Sequence, residues 1–128
     1  MGEKDQISSF FFDTYALFEL INGSPSYKKY EKNINLLTTK FNLMELHYNL
    51  LRLKGKETAD FYFNKFNEFC IPVDDDTIKE ANELKIKISK RDVSYVDCIG
   101  YTLAKKRNAK FLTGDEQFKD LDNVEFVK

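Results

Sequence analysis

Three aspartates stand where a carboxylate needs a physical explanation. In Phe11-Phe12-Asp13-Thr14, Asp13 closes an apolar run and opens a helical pattern, which puts it at the carboxyl end of a buried strand. A simple helix cap would read the same way. Asp115 repeats the arrangement in Thr113-Gly114-Asp115, where a plain turn would also accept Gly and Asp. Asp97 lies four residues after Val93 and three before Gly100, inside an apolar helical stripe that should face a sheet. A carboxylate there is tolerated only when it is ion-paired, hydrogen-bonded or bound to metal. Glu45 is different: it sits on the polar side of the Leu43, Leu46, Leu50 stripe, and periodicity alone would make it the partner of Asn42 in a capping box.

Other hydrolytic chemistries lack their parts. With His47 as the sole imidazole a two-histidine ribonuclease is excluded, and His47 itself reads as a helix-packing residue. No serine sits in a nucleophile elbow and no Walker-type phosphate loop occurs. Cys70 and Cys98 lie in apolar surroundings without CxxC spacing, which suits reduced core thiols rather than a disulfide or zinc.

The elements that must position the acids alternate, short β-rich runs with longer helical patterns, as in an α/β chain built around a parallel sheet. Strand candidates are Ser9 to Phe12, Ile34 to Thr38, Cys70 to Val73, Lys110 to Thr113 and Val124 to Val127. Leu43, Leu46, Leu50 and Leu53 trace one helix, and Ala59, Phe63, Phe66 and Phe69 a second, with Gly55 as the break. Ile78, Ala81, Leu84 and Ile88 trace a third; Val93, Val96, Gly100, Leu103 and Ala104 trace a fourth, with Asp92 as its expected N-cap. Asn22-Gly23-Ser24-Pro25 ends one helix and starts another, Ser24 capping and Pro25 in the first turn. The run Asp74-Asp75-Asp76 precedes a helix and reads as solvated capping.

The length of 128 residues fits one domain, 1–128, and a content of 42% hydrophobic residues with twelve Phe suits a chain that folds alone. No apolar run approaches the roughly 18 residues of a membrane span. Met1 to Gln6 lack the order of a secretory signal, and Gln6 breaks the myristoylation pattern, so the expected location is cytoplasmic. A net charge of -1 gives no overall basic field, which leaves any affinity for nucleic acid to local clustering.

Taken together, the four acids resemble those of the PIN-domain nucleases, most closely the VapC-type toxin branch, over nearly the whole chain. The family's opening strand, Asp and small hydroxyl residue match Phe12-Asp13-Thr14, followed by Tyr15-Ala16-Leu17; its Glu-Leu early in a helix matches Glu45-Leu46. Its Asp within an apolar helix is similar to Tyr95-Val96-Asp97-Cys98-Ile99 running to Ala104-Lys105-Lys106, and its Thr-x-Asp with a nearby Phe to Thr113, Asp115 and Phe118. The resemblance implies a three-layer α/β/α fold with about five parallel strands ordered 3-2-1-4-5, Asp13 and Asp115 flanking the switch point where ligands of such sheets bind. It implies an endoribonuclease that hydrolyses RNA phosphodiester bonds, a homodimer, and a toxin's small antitoxin partner.

Two unit charges about 4 Å apart repel by about 4 kcal/mol at an effective dielectric of 20, so such a group of carboxylates calls for a hard, oxygen-ligated cation, Mg2+ or Mn2+. On this reading Asp13, Asp97 and Asp115 are ligands, Glu45 a ligand or positioning base, and Thr14 and Thr113 orient carboxylates. Gln117 departs from relatives with a further acid at that place, which leaves one or two metal ions open, and the short tail after Glu125 adds no RNA-binding module. Two rivals stand beside it. A catalytically silent binding domain shares the fold. A phosphoacceptor receiver module would use Asp74, Thr113 and Lys128, but it wants an acidic pair where Asp13 stands alone and a final helix beyond Lys128.

Overall fold

Ser9–Phe12 forms β1, and its neighbours come from opposite ends of the chain. In the computed structural model, which describes residues 7–128, β1 pairs in parallel with β2 (Asn35–Leu37) on one side and β3 (Lys110–Thr113) on the other. β4 (Val124–Phe126) adds to β3, also parallel, giving the order β2-β1-β3-β4. The reading of Met1 to Gln6 lies outside the described residues.

Five strands were expected, and the sheet has four. The missing one, Cys70 to Val73, is reduced to a single parallel bridge between Cys70 and Thr38. Ile71 donates to the Thr38 carbonyl at 2.9 Å, but the next pairing would need Lys40, and there the partner chain has already turned into a helix capped by Thr39. The expected order 3-2-1-4-5 therefore loses its first member as a strand, and the remaining order is kept.

The helices are α1 (Thr14–Asn22), α2 (Lys40–Lys54), α3 (Lys56–Asn67), α4 (Asp75–Lys87) and α5 (Tyr95–Lys106), with 3-10 helices at Pro25–Tyr30 and Glu116–Phe118. Strand residues alternate between two apolar clusters, as the pleat dictates. Phe12 and Leu112 join Leu17, Leu43, Leu46, Leu50 and Phe66 of α1 to α3. Phe11 and Phe111, stacked at 6.0 Å, join Ala81, Cys98, Leu103 and Phe118. Each such fully buried Phe or Leu contributes roughly 1.5–3 kcal/mol. Gly100 lets α5 settle on β1, because a Cβ there would lie 2.7 Å from the Phe11 ring. None of the helices among the described residues is long and apolar enough to cross a membrane.

Several helix starts differ from expectation. Ser94, not Asp92, caps α5; Thr39 caps α2, and Asn42, expected as its cap, lies buried in the first turn. Ser24 makes no side-chain cap and donates instead to Glu19, and the segment after Pro25 is a 3-10 helix. Leu53 closes the periodic row on the wrong side and is 56% exposed.

Candidate functional site

Asp13 follows the last residue of β1 and caps α1, its Oδ1 accepting from the Ala16 N–H at 2.8 Å. Its Oδ2 accepts from the Thr113 hydroxyl at 2.5 Å, at the end of β3, the strand beside β1. Only 3% of Asp13 is exposed. Burial pushes its carboxyl up to about 8; the Thr113 and Ala16 hydrogen bonds pull the other way, and the charges of Asp97 and Asp115 push further up.

The Thr113 hydroxyl also accepts from the Asp115 N–H at 3.0 Å, so one buried side chain orders two members of the group. Asp115 then caps the 3-10 helix Glu116–Phe118, taking the Gln117 N–H at 2.9 Å. Gly114 between them has no alternative: a Cβ would fall 2.2 Å from the Tyr15 ring and 2.6 Å from the Val127 carbonyl oxygen.

Glu45 reaches the group through Thr14, whose hydroxyl donates to Oε1 at 2.7 Å. Thr14 in turn accepts from the Asn42 amide at 3.2 Å, and Asn42 accepts from the Thr39 hydroxyl at 2.6 Å. A polar chain thus runs from the cap of α2 to the start of α1. Burial raises the Glu45 pKa, Thr14 offsets part of that, and the Asp97 charge adds to it.

Asp97 is half-buried rather than enclosed, and its partner is its own helix. Its Oδ2 accepts from the Ser94 N–H at 3.0 Å while its N–H donates to Ser94 Oγ at 3.1 Å, a complete capping box. The isolated buried carboxylate inferred from the apolar stripe therefore has a ready partner. Its pKa is still raised, by burial first and by Asp115 as well, with Ser94 and the Lys85 charge opposing.

The four acids come from four elements and bear on one another's ionisation: Asp13 feels Asp97 and Asp115, Asp97 feels Asp115, and Glu45 feels Asp97. Among the described residues, however, no three acidic, histidine or cysteine side chains are gathered tightly enough to enclose an ion as they stand. Oxygen donors, a nearly buried carboxylate and mutual repulsion fit a hard divalent cation rather than zinc. His47 lies elsewhere, bonded to Asp60 at 2.7 Å. Asp74 is also apart, capping α4 through the Thr77 N–H at 2.9 Å, and Lys128 pairs with Glu116 at 2.9 Å, so the receiver arrangement does not form. A cleft of about 440 Å³ between α4 and α5 is lined by none of the four acids.

Sequence reading missed Asn42 as a support for Thr14, having assigned it to capping, and missed Ser94. The Ser94-x-x-Asp97 spacing carried that second signal.

The family model of the PIN domain matches residues 10–124. The chain belongs to the PIN-domain family. In fold it is similar to the sarcin-ricin-loop-cleaving toxin VapC20 of Mycobacterium tuberculosis, with a TM-score of 0.76 at 19% identity over 93% of this chain and 99% of that one. A toxin-antitoxin complex from Klebsiella pneumoniae gives 0.71 at 16% identity, over 90% and 94%. VapBC2 of Rickettsia felis, solved bound to a DNA fragment from its promoter, gives 0.70 at 20% identity, over 93% and 97%. Comparison with curated proteins yields no match.

Proposed function

We propose that this chain is a Mg2+- or Mn2+-dependent endoribonuclease and the toxin of a toxin-antitoxin pair. One observation carries the reading: a nearly buried Asp13, tied to Thr113 and electrostatically linked to Asp97 and Asp115, at the crevice where β1 and β3 diverge into helices. In this reading Asp13, Asp97 and Asp115 hold the cation and Glu45 is a ligand or the base that positions water. A divalent ion supplies charge neutralisation at the phosphate and lowers the pKa of the attacking water. Thr113 keeps one Asp13 oxygen fixed and leaves the carboxylate in one orientation; Thr14 does the same for Glu45. Membership of the family and the toxins among its neighbours in fold support this assignment.

The same reading includes a protein partner. Phe41, Met44, Tyr48 and Leu51 recur along α2 at helical spacing and are exposed, an apolar row one residue round the helix from Glu45. We place an antitoxin there, where it would restrict access to Glu45, and we keep the homodimer as a further element to be read by sedimentation.

Single-stranded RNA incubated with the protein and Mn2+ should be cut internally, and Asp97→Asn or Asp115→Asn should remove cleavage without lowering the melting temperature. Full cleavage by both variants would sink the site. No cleavage by the wild type, with Mn2+ still raising its melting temperature, would favour the silent binding domain.

A further inference from the structure

At the end of α5 that carries Asp97, α4 and α5 present Lys85 and Tyr95 to each other. Lys85 Nζ stands 5.0 Å from the centre of the Tyr95 ring and donates to the Val93 carbonyl at 2.7 Å. That bond anchors the ammonium at the junction of the two helices and uses one of its three donors. Among the described residues Lys85 is in no ion pair, yet its charge reaches Asp97 and opposes the rise of that carboxyl. Tyr95 stands two residues before Asp97 and is 65% exposed. With Asn82, Ile86 and Ser89 the pair lines a cleft of about 400 Å³.

Neither residue belongs to an apolar core cluster, and among the described residues neither pairs with a carboxylate. A polyanion approaching four carboxylates is repelled, so it needs a cation outside the ligand set to hold it, and Lys85 is placed to act as one. Sites for unpaired nucleic acid join such cations to aromatic faces on which bases stack. Lys85 covers one face of the Tyr95 ring, and the ring's large exposure leaves room on the other.

We propose that Tyr95 and Lys85 form a nucleotide subsite flanking the scissile bond, Tyr95 stacking on a base of single-stranded RNA and Lys85 contacting its phosphate. The subsite rests on the ribonuclease reading and adds to it the unpaired state of the substrate. Stacking tolerates any base, so the subsite selects unpaired RNA over duplex rather than one sequence.

The test uses a fluorescently labelled single-stranded RNA of mixed sequence. Its binding is followed by anisotropy in EDTA, where cleavage is stopped, and its cleavage in Mn2+. Tyr95→Ala should weaken binding about tenfold and Tyr95→Phe should restore most of it. Lys85→Gln should reduce the slope of log affinity against log salt by about 0.7. In Mn2+ the Tyr95→Ala defect should fall mainly on KM. Wild-type cleavage with binding unaltered in Tyr95→Ala and Lys85→Gln overturns the subsite and leaves the nuclease standing. Binding weakened in both variants without any wild-type cleavage keeps the subsite and removes the nuclease. A wild type that neither binds nor cuts removes both.

Discussion

The Thr113 hydroxyl donates to Asp13 at 2.5 Å with both side chains out of solvent, and it accepts from the Asp115 N–H at the same time. Replacing it by an isosteric apolar group leaves one Asp13 oxygen without its donor. Thr113→Val is expected to lower Mn2+ affinity about 10- to 100-fold, the usual cost of losing a group that orients a ligand. Thr113→Ser should retain most of it. Calorimetric titration of both variants checks this, and equal affinity in Thr113→Val removes the orienting role.

Asp13 gives the metal-free protein a stability that depends on pH. Its carboxyl is raised from near 3.8 to about 8 in the folded state, chiefly by burial. The folded state therefore keeps a proton that the unfolded chain releases. The resulting stabilisation is complete below about pH 4 and is lost as pH rises through about 8. Glu45 and Asp97, also raised, act in the same direction. Urea titrations in EDTA should show stability falling across this window, by up to about 1.4 kcal/mol per pH unit for one proton. Asp13→Asn should flatten the slope. An unchanged slope in that variant would show that Asp13 ionises normally.

Ser94 separates support from chemistry at Asp97. Ser94→Ala removes the side-chain half of the capping box and should cost about 1 kcal/mol of stability. Because it leaves the carboxylate present, cleavage should fall far less than in Asp97→Asn. Thermal melts and initial rates measured on both proteins give the comparison; equal losses of activity would mean that the cap, not the carboxylate, matters.

Gly114 joins β3 to Asp115 with no space for a methyl group. The obstacles to a Cβ include the Val127 carbonyl oxygen, which is backbone and cannot rotate away. Gly114→Ala is expected to destabilise by roughly 1–3 kcal/mol and to shift Asp115, so that Mn2+ protects it less against heat than it protects the wild type. Wild-type melting with and without the ion would contradict the close approach.

The strands that flank the site were legible because Phe10 to Phe12 and Phe111 to Thr113 form unbroken runs, with Phe11 and Phe111 buried on one face and Phe12 and Leu112 on the other. Cys70 to Val73 has the same apolar look, but its partner chain leaves the sheet at Thr39, the cap of α2, after a single bridge, which the composition of residues 70–73 does not register. Asp92 and Ser94 are equally good caps by type. The choice fell to Asp97, which reaches back to Ser94 from three residues on. Asp13 and Asp115 stood out as candidates by their place at strand ends. Glu45 was a candidate by the family resemblance alone, since its hydrogen bond to Thr14, a residue 31 positions away, depends on the packing of α1 on α2. Lys85 and Tyr95 gave no signal for the same reason, their meeting being a product of how α4 lies against α5.

β1 finds its β3 partner very late, since Phe11 pairs with Phe111 and the intervening chain contains every helix from α1 to α5. Closing so long a loop delays the pairing relative to local helix formation. A ribosome adding roughly 5–20 residues per second takes on the order of 5 to 20 seconds to synthesise the hundred or so residues between them. Throughout that interval Asp13 has neither Thr113 nor Asp115 beside it. A nascent chain is therefore without its assembled carboxylates while it is still attached to the RNA-rich machine that makes it.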